Sequence, residues 1–96
     1  MVSPRRDDPL ALGYDGMQEL HIQDRVLYKG YNDPQFTPAI VAKEPGSTGI
    51  YIRLLRCHLR ESKTFEKGSE ILAGANEIFW DRNEHLPGRL REVLIK

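Results

Sequence analysis

The residues able to carry chemistry are few. His21, His58 and His85 are the only histidines and Cys57 is the only thiol. A thiol becomes a nucleophile when a base stands beside it. Neighbours on a strand point to opposite faces, so His58 cannot serve Cys57 there, and a buried, inert thiol is the expected state of Cys57. One Cys and three scattered His offer no zinc spacing, so no metal ligand is expected. Ser62-Lys63-Thr64 ends like a phosphate-binding loop, but Leu59-Arg60-Glu61 before it contains no glycine. The glycines of Pro45-Gly46-Ser47-Thr48-Gly49 read as a hairpin turn. The 14 carboxylates are scattered, and spacing assigns no pair of them to one site. The sequence therefore predicts no catalytic residue and no cofactor, and the chain reads as non-enzymatic.

The densest basic stretch is Arg53, Arg56, His58 and Arg60, extended by Lys63, with Tyr51 beside it. Cations that neutralise phosphates and an aromatic ring that stacks on bases are how sequence-tolerant modules hold single-stranded nucleic acid. Charge arithmetic weighs against a dedicated nucleic-acid domain. Residues 1 to 48 carry five Lys/Arg and seven Asp/Glu; the totals of 14 and 14 leave nine and seven for residues 49 to 96. The plainer reading of the stretch is a solvated outer face whose arginines pair with neighbouring carboxylates.

These residues must be positioned by one small domain. A chain of 96 residues supports one modest core, and 40% hydrophobic against 29% charged residues is globular composition, not that of a disordered or collagen-like chain. Apolar runs such as residues 39 to 42 fall far short of the roughly 20 residues that span a bilayer, so no membrane association is expected. Met-Val-Ser-Pro-Arg-Arg-Asp-Asp has no apolar stretch behind its basic pair and does not read as a signal peptide. A lone cysteine fits a reducing compartment, and a cytoplasmic address is the expectation.

Along the chain, residues 1 to 19 read as an N-terminal arm, either flexible or packed through Leu10, Leu12 and Tyr14 on its own domain or a neighbour's. Pro4 and Pro9 forbid a continuous helix and Tyr14-Asp15-Gly16 carries turn chemistry. Residues 20 to 96 read as a single small β domain with a C-terminal appendage. Leu20, Ile22, Val26 and Tyr28 alternate with polar residues as in a half-buried strand. Asn32-Asp33-Pro34 marks a turn, and FTPAIVAK is a second strand. GIYIRLLRCHLRES has two readings. As a helix it gathers Arg53, Arg56 and Arg60 on one face. As a strand it needs one bulge at Leu54-Leu55, which places Ile50, Ile52, Leu55, Cys57 and Leu59 inward and Tyr51, Arg53, Arg56, His58 and Arg60 outward. The bulged strand is preferred because Ile-Tyr-Ile follows a glycine turn. Two short strands follow, around Ile71 to Ala73 and Glu77 to Trp80, with Trp80 expected to close the core and to seek a partner for its indole N–H. LPGRLREVLIK fits a short helix or a closing strand.

Four to five short strands with Gly/Pro turns suit a small closed β-barrel. The segments Asp24-Arg25-Val26-Leu27-Tyr28-Lys29-Gly30, Thr37-Pro38-Ala39-Ile40-Val41-Ala42-Lys43 and Gly49-Ile50-Tyr51-Ile52-Arg53 resemble the first three strands of an SH3-like barrel of the Tudor or KOW kind, over residues 20 to 81. The charged stretch between the third strand and Ile71 is longer than a minimal barrel carries. The resemblance implies a mainly β binding module. It also implies that Tyr31 and Phe36, which flank the first turn, together with Tyr51 and Asp33, line a ligand cage in which aromatic faces and an acid meet a cation. The expectation is a non-catalytic interaction module for a protein or peptide partner, with weak nucleic-acid binding through Tyr51, Arg53, Arg56 and Arg60 as the alternative. Near-neutral charge does not oppose self-association, so a small homo-oligomer built on an exposed strand edge and on Leu90, Val93 and Leu94 is a further expectation.

Overall fold

A computed structural model describes residues 9–33, 35–60, 63–82 and 84–94, with the Arg60 side chain outside that description. Its strands are β1 (Leu10–Ala11), β2 (Arg25–Tyr28), β3 (Thr37–Val41), β4 (Ile50–Leu54), β5 (His58–Arg60), β6 (Lys63–Phe65), β7 (Glu70–Ala73) and β8 (Ile78–Trp80). Two short helices, α1 (Gly13–Gln18) and α2 (Gly88–Leu94), and a 3₁₀ turn at Ala75–Glu77 complete the fold. Among the described residues, six strands form an open antiparallel sheet in the order β1-β8-β2-β3-β4-β7, and β5 and β6 form a separate hairpin. The protein is thus mainly β. It holds more strands than the four to five expected, because Leu10–Ala11 joins the sheet beside β8 and the charged stretch after β4 makes a hairpin of its own.

Alternation sets the core. In β4 the inward residues Ile50, Ile52 and Leu54 are buried and Tyr51 and Arg53 are exposed. Register carries the same parity across the sheet. Tyr28 lies opposite both Thr37 and Ile78, Ala39 opposite both Val26 and Leu54, and Ile52 opposite both Val41 and Ile71. A one-residue slip would exchange the two faces, so the buried set itself fixes the register. Gly49 sits where β4 begins, with space for nothing larger: a Cβ there would stand 2.4 Å from the Ala73 carbonyl oxygen.

Three local expectations are corrected. Over the described part of the segment, residues 49 to 60, there is neither a helix nor a bulged strand: β4 stops at Leu54, and the chain bends at Leu55 and Arg56, where Leu55 N–H donates to the Pro38 carbonyl at 2.9 Å. Inward and outward residues after the bend are consequently the reverse of those expected, with His58 buried and Cys57 and Leu59 exposed. Tyr14-Asp15-Gly16 belongs to α1, not to a turn. The sequence GYDGMQ is a poor helix former. It folds as one because Leu12, Met17 and Leu20 are buried in the core and Gly16 leaves room for Leu12 and Leu94. Segment 20 to 28 is strand only from Arg25; Gln23 has a φ of 78° at a turn, which leaves Leu20 buried and Ile22 exposed.

The C-terminal appendage is the helix α2. Seven residues do not hold a helix in water by themselves. Leu90 is fully buried, and Arg89 donates to the Glu19 carbonyl at 2.8 Å and to Asp24 Oδ2 at 2.5 Å, which ties α2 to the end of α1 and to the turn before β2.

Candidate functional site

Between β2 and β3 the chain turns at residues 30 to 33. Asp33 N–H donates to the Gly30 carbonyl at 3.2 Å, and the Asp33 carboxylate reaches back to accept Gly30 N–H at 2.7 Å. The same oxygen, Oδ2, accepts from His58 Nε2 at 2.6 Å. A carboxylate only accepts, so Nε2 carries a hydrogen, and Nδ1 shares a hydrogen bond with the Thr37 hydroxyl across 2.7 Å. All three side chains are interior: exposure is 0% for His58, 1% for Thr37 and 6% for Asp33. Tyr28 packs edge-on against the imidazole at 4.8 Å. A buried histidine is stable when both ring nitrogens are bonded. Among the described residues no buried side-chain nitrogen or oxygen lacks a partner.

The Asp33–His58–Thr37 series has the connectivity of an orienting acid, a base and a hydroxyl nucleophile. A nucleophile must also meet its substrate. The Thr37 hydroxyl is sealed, and none of the three clefts described on the surface is lined by Asp33, Thr37 or His58. The relay joins the turn after β2, the start of β3 and the β5–β6 hairpin, and it holds the turn that carries Tyr31. Tyr31 itself is 93% exposed. An aromatic residue left almost wholly in water thus stands on a turn fixed by buried hydrogen bonds.

The other expected site residues divide between two places. Phe36 lies just before β3 on the outer face, where it meets Phe79 edge-on at 4.9 Å and has Lys29 Nζ 5.8 Å from its ring centre. Register extends this patch, since Phe79 lies opposite Leu27 and Leu27 opposite Pro38. Tyr51 is on the outer face of β4, opposite Leu72, with Lys43 Nζ 4.9 Å from its ring centre. Arg53 follows it in a row that runs Arg25, Ile40, Arg53, Glu70 across four strands. Ala42 N–H donates to the Tyr51 carbonyl, so six residues of chain separate the level of Phe36 from that of Tyr51, about 20 Å in an extended strand. Tyr31, Phe36, Tyr51 and Asp33 therefore do not enclose one cage. Arg56, at the bend, shares a shallow cleft of about 200 Å³ with Arg25, Leu27, Pro38, Asp81 and Glu84. The Arg60 side chain lies outside the described residues, as does Pro34.

The sequence reading missed His58 and Thr37. No local signal marks them, because the partners stand 21 and 25 residues apart in the chain. Trp80 was legible: it is buried, and its indole N–H points to the Glu84 carbonyl at 3.4 Å. Among the described residues no group of three or more His, Cys, Asp and Glu side chains is placed to hold a metal ion, and no helix is long and apolar enough to cross a membrane. Compared with protein-family models, with curated proteins and with solved structures, the chain finds no match.

Proposed function

We propose that this protein is a non-catalytic interaction module that binds a protein or peptide partner through the Tyr31 turn and the adjoining Phe36 and Phe79 patch. The observation that carries the reading is the contrast at residues 30 to 33: a turn held by a buried Asp33–His58–Thr37 relay presents a tyrosine exposed to 93% of its surface. Tyrosine supplies a large contact area with little rotamer entropy to lose, and a fixed loop lowers the ordering cost of binding. The SH3-like reading of the fold belongs with this proposal. Support for it is the four-strand meander β2-β3-β4-β7, after which the chain passes through a 3₁₀ turn into β8, which pairs with β2.

The test is a photo-crosslinking residue placed at position 31, followed by titration of the captured partner against the native chain and Tyr31→Ala. Binding weakens at least about tenfold in Tyr31→Ala, while folding stability stays within about 0.5 kcal/mol, as for a surface substitution. A partner that binds the variant equally well removes the turn from the interface.

One observation favours a second reading, nucleic-acid binding. Tyr51 and Arg53 are exposed side by side on β4, and Arg25 stands in the Arg53 row. Labelled single-stranded RNA or DNA then binds saturably at low salt and weakens as salt rises, with a slope of about three ions, and Arg53→Glu lowers that slope. Absence of binding at low salt retires it.

A further inference from the structure

A separate cleft lies at the Trp80 end of β8, the opposite end from Ile78, which pairs with Tyr28. Leu10 and Trp80 are opposite one another in the β1–β8 ladder, and they floor a cleft of about 320 Å³. The loop after β8 walls it with Arg82, Glu84, His85 and Leu86, and α2 contributes Arg91. Its volume is at the small end of ligand-binding pockets. The floor is rigid, because Trp80 is a core residue whose indole N–H is already directed at the Glu84 carbonyl. The rim is cationic: two guanidiniums stand against one carboxylate, with an imidazole beside them. Among the described residues neither Arg91 nor His85 is engaged in an ion pair.

We infer that this cleft binds a small carboxylate attached to a flat apolar group, the apolar part lying against Trp80, Leu10 and Leu86 and the carboxylate meeting Arg91. An apolar floor alone accepts neutral and charged ligands alike. A guanidinium at the rim adds a fork of donors matched to the two carboxylate oxygens. A ligand of this size binds in the millimolar range or somewhat tighter. Two sources share the chemistry, a free aromatic acid and the C-terminal residue of a peptide. Neither depends on the Tyr31 turn.

Trp80 is the only tryptophan in the chain, so its emission reports directly on the cleft. The experiment titrates phenylacetate, its neutral isostere phenylacetamide, and the peptide Gly-Gly-Phe against the full chain, with ligand-observed NMR as a second readout. Phenylacetate or the peptide shifts Trp80 emission saturably, phenylacetamide binds at least about tenfold more weakly, and Arg91→Gln removes that preference. Saturation by phenylacetate alone identifies a free acid as the ligand class, and tighter binding of the peptide identifies a chain end. Arg91 is exposed on α2, so Arg91→Gln remains folded and the comparison stays valid. No saturable change by either readout up to about 10 mM, equal binding of the amide, or an undiminished preference in Arg91→Gln overturns the inference.

Discussion

Replacing His58 with alanine removes the centre of the buried relay, and the structure sets the size of the effect. Two hydrogen bonds are lost, at 2.6 and 2.7 Å, one of them to a carboxylate. Thr37 is left with an unpartnered hydroxyl, at a cost of about 1–3 kcal/mol, and Asp33 Oδ2 keeps Gly30 N–H but loses its ring donor. The space of a fully buried imidazole and its edge contact with Tyr28 add about 1–2 kcal/mol. The sum is roughly 2–5 kcal/mol, against a total stability on the order of 5–14 kcal/mol for a chain of this length. At about 4–8 °C per kcal/mol, Tm falls by at least about 8 °C. Urea unfolding followed by circular dichroism and by Trp80 emission measures it. Thr37→Val, which removes one hydroxyl and keeps the shape, costs about 1–2 kcal/mol in the native background. In His58→Ala the same change costs almost nothing, because the hydroxyl it removes is already orphaned, so the double-mutant cycle shows a coupling of about 1 kcal/mol. A loss below about 1 kcal/mol in His58→Ala, or strictly additive variants, would refute the relay and detach the β5–β6 hairpin from the sheet.

Three other outcomes follow from the same coordinates. Cys57 is exposed at the bend after β4, so a thiol reagent labels it fully in the native state, and protection until unfolding would restore the inward assignment. Gly49→Ala pushes a Cβ to within 2.4 Å of the Ala73 carbonyl oxygen and costs about 1–3 kcal/mol by equilibrium unfolding; a neutral result would mean that β4 and β7 are not in the described register. Leu90→Ala empties the only fully buried position of α2 and costs about 2–4 kcal/mol, whereas an effect below 0.5 kcal/mol would show α2 undocked.

What the amino-acid sequence by itself determines is the β character and the buried rows. Val26 and Tyr28, Ala39 and Val41, and Ile50 and Ile52 are buried while the residues between them, Leu27, Ile40 and Tyr51, are half-buried or exposed, and a period of two admits one inner face. It also marks turns at Asn32-Asp33-Pro34 and at residues 45 to 49, where Gly, Asn, Asp and Pro gather, and it singles out Trp80 as a core residue with a polar need. Tertiary structure decides the rest. Parity counting runs along an unbroken strand, so it fails where β4 stops at Leu54 and the chain bends, and it assigned Cys57, His58 and Leu59 to the wrong sides. GYDGMQ is helical only because Leu12, Met17 and Leu20 have a sheet to cover, a gain that no local propensity records. The relay is the clearest case. Asp33, Thr37 and His58 are each ordinary surface-forming residues, and burial becomes favourable only once three distant segments satisfy one another's hydrogen bonds. The same folding step separates Phe36 from Tyr51, brings Leu10 opposite Trp80, and leaves Tyr31 in solvent, because the positions of side chains from different strands are set by the register between strands and not by spacing along any one of them.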